Sequence, residues 1–477
     1  MKVLHISAEC YPAAKAGGLG DVIGSLPKYL NKAGFSAGAI IPKYRIKWIT
    51  SHQFTPVYKG AVRLHQVYVP FTIEKLREDT LGFPLFIASI PGKFDRDGIY
   101  AAPGGYSYGD DVERYLCFQQ AVLQWIKNSP GQPSILHCHD HHTGLIPFFL
   151  KHCPDYEDLQ LLPTVFTVHN GSYHGAFSWK EMYQLPAFDG KAKGLLDWNN
   201  TINPLATAIK CAWRVTTVSP NYLEELMLDS NGMENLFQHE KHKAKGILNG
   251  IDTQVWDPKT DAFIAQTYEE NLTDFKSINK RILAQRFQID LQLPLITFIG
   301  RLVREKGADL LPDLIRRVLH HGMRVAFIVL GTGEPWLHEA FQQLRRQFPG
   351  RFDAALEYNE NLAHQLYAGS DFLLMPSRVE PCGLNQMYAM RYGTIPVVRA
   401  VGGLKDTVTD IGTPEVTGEG IQFTHFNLED GSLALYRAAE LYQDQATLDR
   451  IRKHIMQIDF SWEKAAVHYL DIYKQML

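Results

Sequence analysis

Short apolar runs, each closed by glycine, proline or a polar turn, alternate with longer amphipathic stretches along nearly the whole chain. Runs such as Val3–Ser7 and Leu295–Gly300 are apolar at consecutive rather than alternate positions, the mark of a strand buried on both faces. In the first half the predicted strands are Val3–Ser7, Ala37–Ile41, Leu85–Ile90, Ile135–Cys138, Pro163–Val168 and Arg214–Val218, with helices such as Val22–Lys32 and Val112–Lys127 between them. A β-then-α rhythm of this kind builds a parallel sheet covered by helices on both faces.

After Gly246-Ile-Leu-Asn-Gly-Ile-Asp252 the rhythm restarts. Strands are expected at Leu295–Gly300, Arg324–Leu330, Phe372–Met375 and Thr394–Arg399, and helices at Lys306–Leu319, Pro335–Gln347 and Leu384–Tyr392. A chain of 477 residues is too long for one hydrophobic core. The expected fold class is therefore α/β, with two Rossmann-like doubly wound domains over residues 1–245 and 246–460. Ligands of such sheets collect beyond the C-terminal strand ends, so a cleft between two facing domains is the default active site.

Lys plus Arg number 48 against 51 for Asp plus Glu, a net charge of −3. That balance argues against a nucleic-acid partner, and an anionic ligand must be held by local positive charge. The six cysteines show neither a CxxC pair nor regular spacing, which fits reduced thiols. With no long uncharged apolar stretch, no membrane contact is expected, and the expected location is the cytoplasm.

Five segments carry chemistry, and each falls at a predicted strand end. In Lys15-Ala-Gly-Gly-Leu-Gly-Asp21 the glycines Gly17 and Gly18 allow close backbone approach before a helix start, and Lys15 adds a full positive charge. The same loop could be a plain β-to-α turn. A dinucleotide fingerprint is disfavoured, because the spacing runs Gly-x-Gly-x-x-x-Gly24 and no acid ends the next strand. His137-Cys-His-Asp-His-His142 places two imidazoles on one strand face, where they could ligate zinc. No matching set is evident elsewhere, so no metal is expected, and Asp140 is read as a helix cap or a sugar ligand.

Thr167-Val-His-Asn-Gly171 puts His169 at a strand tip, able to meet sugar hydroxyls or a reacting carbon. Gly300-Arg-Leu-Val-Arg-Glu-Lys-Gly307 presents Arg301 and Lys306 between a strand and a helix, where a guanidinium and an ammonium can neutralise a departing diphosphate. Ser377-Arg-Val-Glu-Pro-Cys-Gly-Leu384 sets backbone amides beside Glu380, a carboxylate suited to sugar hydroxyls and to positive charge at an anomeric carbon.

Taken with Asp459-Phe-Ser-Trp462, these segments resemble, nearly end to end and in order, the bacterial glycogen synthase and plant starch synthase family. The resemblance implies a GT-B arrangement and transfer of glucose from ADP-glucose to an α-1,4-glucan with retention of configuration, without metal or cofactor. It implies that Arg301 and Lys306 bind the diphosphate. Glu380, Cys382, Gly383 and Leu384 would cradle glucose and phosphate, and Lys15, Gly17 and Gly18 would approach the donor. His169 would line the glucose with Asn249 and Asp140 nearby, and Tyr358 would stack on adenine. It also implies that residues 461–477 return to the first domain. Three positions and one segment depart from the family pattern: Ala206 for lysine, Trp213 for aspartate, Asn385 for threonine or serine, and Gly418-Glu-Gly-Ile421 for Gly-Thr-Gly-Phe. A nicotinamide dehydrogenase, a non-catalytic glucan binder and a transferase using another sugar nucleotide are the rival readings.

Overall fold

The computed structural model describes residues 1–64, 66–102, 106–412 and 418–477. It divides into two compact units: residues 1–218, 223–247 and 462–477 form the first, and residues 219–222 and 248–461 the second. The expected boundary at 246 thus falls two residues early. Ser219–Tyr222 belongs with the second unit because the Ser219 hydroxyl donates to the Pro381 carbonyl (2.7 Å) and the Asn221 amide to Asp406 (2.9 Å).

The first unit is built on β1 (Val3–Ile6), β2 (Ala37–Pro42), β3 (Phe54–Leu64), β4 (Val67–Leu76), β5 (Leu85–Ser89), β6 (Ile135–His139) and β7 (Thr164–Val168). A small hairpin of β8 (Asp197–Trp198) and β9 (Thr201–Ile202) stands apart, and β10 (Arg214–Thr217) and β11 (Ala244–Gly246) complete the main sheet. Its order is β11-β10-β7-β6-β1-β2-β5-β4-β3. The sheet is not wholly parallel as the sequence suggested, since β3 and β4 run antiparallel to each other and β4 to β5. In those two strands only Val62, Leu64, Phe71, Ile73 and Leu76 are buried, so they lack the continuous apolar run that marks their neighbours.

The second unit holds β12 (Leu295–Ile299), β13 (Ala326–Leu330), β14 (Phe352–Ala355), β15 (Phe372–Met375), β16 (Ile395–Arg399) and β17 (Ile421–Phe423). All its pairings are parallel, in the order β14-β13-β12-β15-β16-β17. Asparagine caps start several of its helices: Asn271, Asn359 and Asn427 accept the amides of Asp274, Leu362 and Asp430. The Leu311–His320 helix buries Leu311, Leu314, Ile315, Val318 and Leu319, one stripe at helical spacing. It begins five residues later than expected. Gly307 is left-handed (φ 68°) and ends a single turn at Arg304–Lys306, and Pro312 fits only the first helical turn.

In each sheet the chain reverses its winding direction once. The reversal lies between β1 and β6 in the first unit and between β12 and β15 in the second. Loops leaving the C-terminal ends of those strands flank a crevice in every sheet of this kind.

Candidate active site

In the second unit the two loops at the reversal are 300–307, after β12, and 376–383, after β15. They pack backbone to backbone. The amides of Arg378 and Val379 donate to the Glu305 carbonyl (2.9 and 3.3 Å), and a Cβ on Gly307 would lie 2.0 Å from the Pro376 carbonyl oxygen. Only glycine combines that approach with a positive φ. The contact brings Lys306 Nζ to 2.5 Å from Glu380 Oε1, while the Ser377 hydroxyl donates to Oε2 at 2.9 Å. Glu380 is 4% exposed, so its charge relies on those two donors. Arg301 differs. Its side chain is 57% exposed and, among the described residues, is paired with Glu305 alone, at 3.5 Å, a guanidinium open to an anionic ligand.

Past Glu380 the chain turns at Gly383 (φ 72°) into the Asn385–Arg391 helix, with Leu384 at its N-cap. Cys382 is buried, and burial pushes its thiol up to about 12, so it acts as packing rather than as a nucleophile. Its sulfur accepts the amide of Asn249, whose Oδ1 is a buried acceptor without a partner among the described residues. Asn385, one of the departures from the family pattern, donates to the Ile299 carbonyl at 2.6 Å and ties the end of β12 to this helix. Arg301, Lys306, Glu380, Cys382, Gly383 and Leu384 therefore lie on or beside the two adjoining loops, with Asn249 bonded to Cys382. Tyr358 follows β14, the edge strand two places from β12, and the residue is 75% exposed.

In the first unit the loop after β1 is organised by Glu9, which the sequence reading did not single out. Its Oε2 accepts the amides of Ala16 (2.6 Å) and Gly17 (2.9 Å), and its Oε1 accepts the Tyr100 hydroxyl (2.6 Å). Burial raises its pKa, opposed by those three donors. The Gly18–Lys32 helix starts inside the glycine loop rather than after it. Its first amides thus lack partners within the helix, and a Cβ on Gly18 would meet open space. Lys15 is held by Asp21 at 2.7 Å.

Asp140 does not cap the helix that follows. In a left-handed conformation (φ 55°) its Oδ1 accepts the amides of His169 (2.7 Å) and Asn170 (3.4 Å), fixing the end of β7. Burial pushes Asp140 up to about 7. His169 is buried, and its Nε2 lies 3.0 Å from His139 Nδ1.

The strand register supplies the third imidazole that sequence spacing missed. His5 lies beside His137, and ring nitrogens of His5, His137 and His139 lie within 4.8 Å of one another. Five of those six nitrogens are already bonded. His137 meets Tyr473 and Thr167 (2.6 Å each), and His139 meets His5 and His169. A metal would have to break that network, so the cluster reads as a polar ladder. Tyr473 belongs to the Trp462–Lys474 helix, which packs against the Gly18–Lys32 helix in this unit.

A family model for the starch synthase catalytic domain matches residues 2–239, and one for glycosyl transferases group 1 matches residues 279–423. The chain is 46% identical to a glycogen synthase of Flavobacterium johnsoniae over 479 residues, covering 100% of this chain and 99% of the relative. It belongs to the glycogen and starch synthase family. Another family member, from Desulforamulus reducens, is 37% identical over 488 residues, again covering 100% of this chain and 99% of the relative. Among solved structures, the catalytic domain of starch synthase IV from Arabidopsis thaliana bound to ADP and acarbose superposes with a TM-score of 0.88 at 31% identity, covering 100% and 99% of the two chains. The family places the fold as GT-B and the chain as a glycosyltransferase. No helix among the described residues is long and apolar enough to cross a membrane.

Proposed function

We propose that this protein transfers glucose from ADP-glucose to the non-reducing end of an α-1,4-glucan with retention of configuration, in the cytoplasm. The observation that carries the reading is a buried carboxylate paired with Lys306, whose loop also presents the exposed guanidinium of Arg301. A nucleoside diphosphate leaving group develops negative charge, and two fixed cations stabilise it as it forms. A related structure bound to ADP and acarbose supports a nucleotide and a sugar as the ligands of this fold.

In the reaction the bond from C1 to the β-phosphate oxygen loosens first, and C1 gains oxocarbenium character. The acceptor's 4-hydroxyl oxygen bonds to C1 from the same face, and its proton passes to the departing phosphate oxygen. Arg301 and Lys306 hold the diphosphate. Glu380 orients Lys306 and binds glucose hydroxyls, with the Cys382–Leu384 backbone and Asn249 as further contacts, and Tyr358 stacks on the adenine. In the first unit the Gly17–Gly18 backbone and Lys15 approach the donor, and the His169 ring, with Asp140 fixing its backbone, lines the transferred glucose.

The test is a donor panel. The purified protein is incubated with glycogen and either ADP-glucose or UDP-glucose, and nucleotide release is measured with chain extension. Equal release and extension with ADP-glucose is expected. Glucan binding without nucleotide release would favour a non-catalytic binder, and a preference for UDP-glucose would overturn the donor assignment.

A further inference from the structure

One face of the first unit's sheet carries a line of histidines, of which the transfer reaction described above uses His169 alone. Parallel register aligns His5 of β1 with His137 of β6, and His139 with Thr167 of β7, two residues before His169. Side chains two apart share a face, so His5, His137, His139 and His169 all point the same way. His5 Nδ1 lies 3.1 Å from His139 Nε2, and His139 Nδ1 lies 3.0 Å from His169 Nε2. Burial holds His5 and His169 down to about 3 and His139 far below the ordinary histidine range, so all three rings are neutral.

A neutral imidazole has one N–H and one bare nitrogen. His139 is bonded at both nitrogens, so it donates at one and accepts at the other, and the two bonds must run in the same direction. Only two arrangements exist. In one, His5 donates to His139 and His139 donates to His169, which leaves the His169 proton on Nδ1 and a bare nitrogen at His5 Nε2. In the other, every bond reverses, His169 Nδ1 is bare, and His5 Nε2–H is the stranded group. His5 Nε2 is buried without a partner among the described residues. Orphaned buried N–H groups are the rarer defect in folded proteins.

From this we infer that His5 and His139 are positioning residues that lock His169 in its Nδ1–H tautomer, presenting a hydrogen-bond donor to an oxygen of the transferred sugar. The Nε2 edge is committed to His139, and Asp140 grips the backbone amide of the same residue. His169 is thus fixed at both ends. The inference rests on the assignment of His169 to the sugar site.

The decisive experiment is nitrogen-15 NMR of the intact wild-type protein labelled at histidine, with the His169 signals identified by their loss in His169→Gln. A proton on Nδ1 and a bare Nε2 are expected, and a proton on Nε2 overturns the inference. This readout needs no variant at position 5. As a second arm, His5→Phe removes the first donor, and roughly tenfold lower kcat with KM for the nucleotide sugar within about twofold is expected. His5→Gln, which can still donate to His139, should recover part of the loss. Unchanged kcat in folded His5→Phe overturns the relay. Turnover that survives His169→Gln overturns the sugar-site assignment itself, whereas an inactive His169→Gln with the wrong wild-type tautomer overturns the relay alone.

Discussion

The Lys306–Glu380 pair allows stability and catalysis to be separated. Glu380 is 4% exposed and is held by Lys306 at 2.5 Å and Ser377 at 2.9 Å. In Lys306→Ala the carboxylate stays buried with one neutral donor. Breaking a fully buried pair costs about 3–5 kcal/mol. The lysine side chain is 27% exposed, so water can enter in its place, and a loss of about 2 kcal/mol is expected. Glu380→Gln keeps the volume and an acceptor for Ser377, and should cost about 1 kcal/mol. In the double variant no buried charge is left unpaired, so its stability should approach that of Glu380→Gln alone, a coupling of about 2 kcal/mol. For a unit of this size each kcal/mol moves the melting temperature by about 2–4 °C, so calorimetry resolves the differences. Activity should not follow stability. Lys306→Ala should lose about a hundredfold in nucleotide release, and the double variant at least as much. A double variant no more stable than Lys306→Ala would refute the structural half of this reasoning. A Lys306→Ala enzyme within a fewfold of wild-type rate would refute the catalytic half.

Arg301→Ala should leave unfolding within about 0.5 kcal/mol of wild type, because the side chain is exposed and weakly paired, yet lower nucleotide release about a hundredfold; a coincident fall in melting temperature would contradict that division. Gly307→Ala forces a left-handed residue and a Cβ 2.0 Å from the Pro376 carbonyl, so denaturant unfolding should show a loss of about 1–3 kcal/mol, and an unchanged midpoint would mean the two loops are not in contact. Asp140 is raised by burial from 3.8 to about 7, so its native form holds its proton more tightly than the unfolded chain does. Its stabilising contribution is complete below about pH 4 and is lost as pH rises through about 7. Urea midpoints of Asp140→Asn should therefore gain on wild type across that interval, and a pH-independent difference would contradict the shift.

The second unit was the more legible half in the sequence. Its strands are apolar at consecutive positions, and each functional loop follows one directly, so Arg301, Lys306 and Glu380 could be placed at strand ends from the pattern alone. The strand order was not legible, and it is the order that makes β12 and β15 neighbours and turns three separated residues into one group. β3 and β4, at one end of the sheet, were missed because few of their residues are buried and they carry no continuous apolar run. Glu9 was missed because a single acid after a strand has no pattern of its own. Its importance comes from the loop folding back to place the Ala16 and Gly17 amides on one oxygen. His5 was missed for a related reason, since only the register between β1 and β6 sets it beside His137 and close to His139.

The central claim is that the loops after β12 and β15 hold the donor's diphosphate. A crystal structure of the protein with ADP tests it most directly. The account predicts phosphate oxygens within about 3 Å of the Arg301 guanidinium and of Lys306 Nζ, with Glu380 still joined to that lysine. Phosphates bound elsewhere, with Arg301 and Lys306 left to solvent, would contradict it.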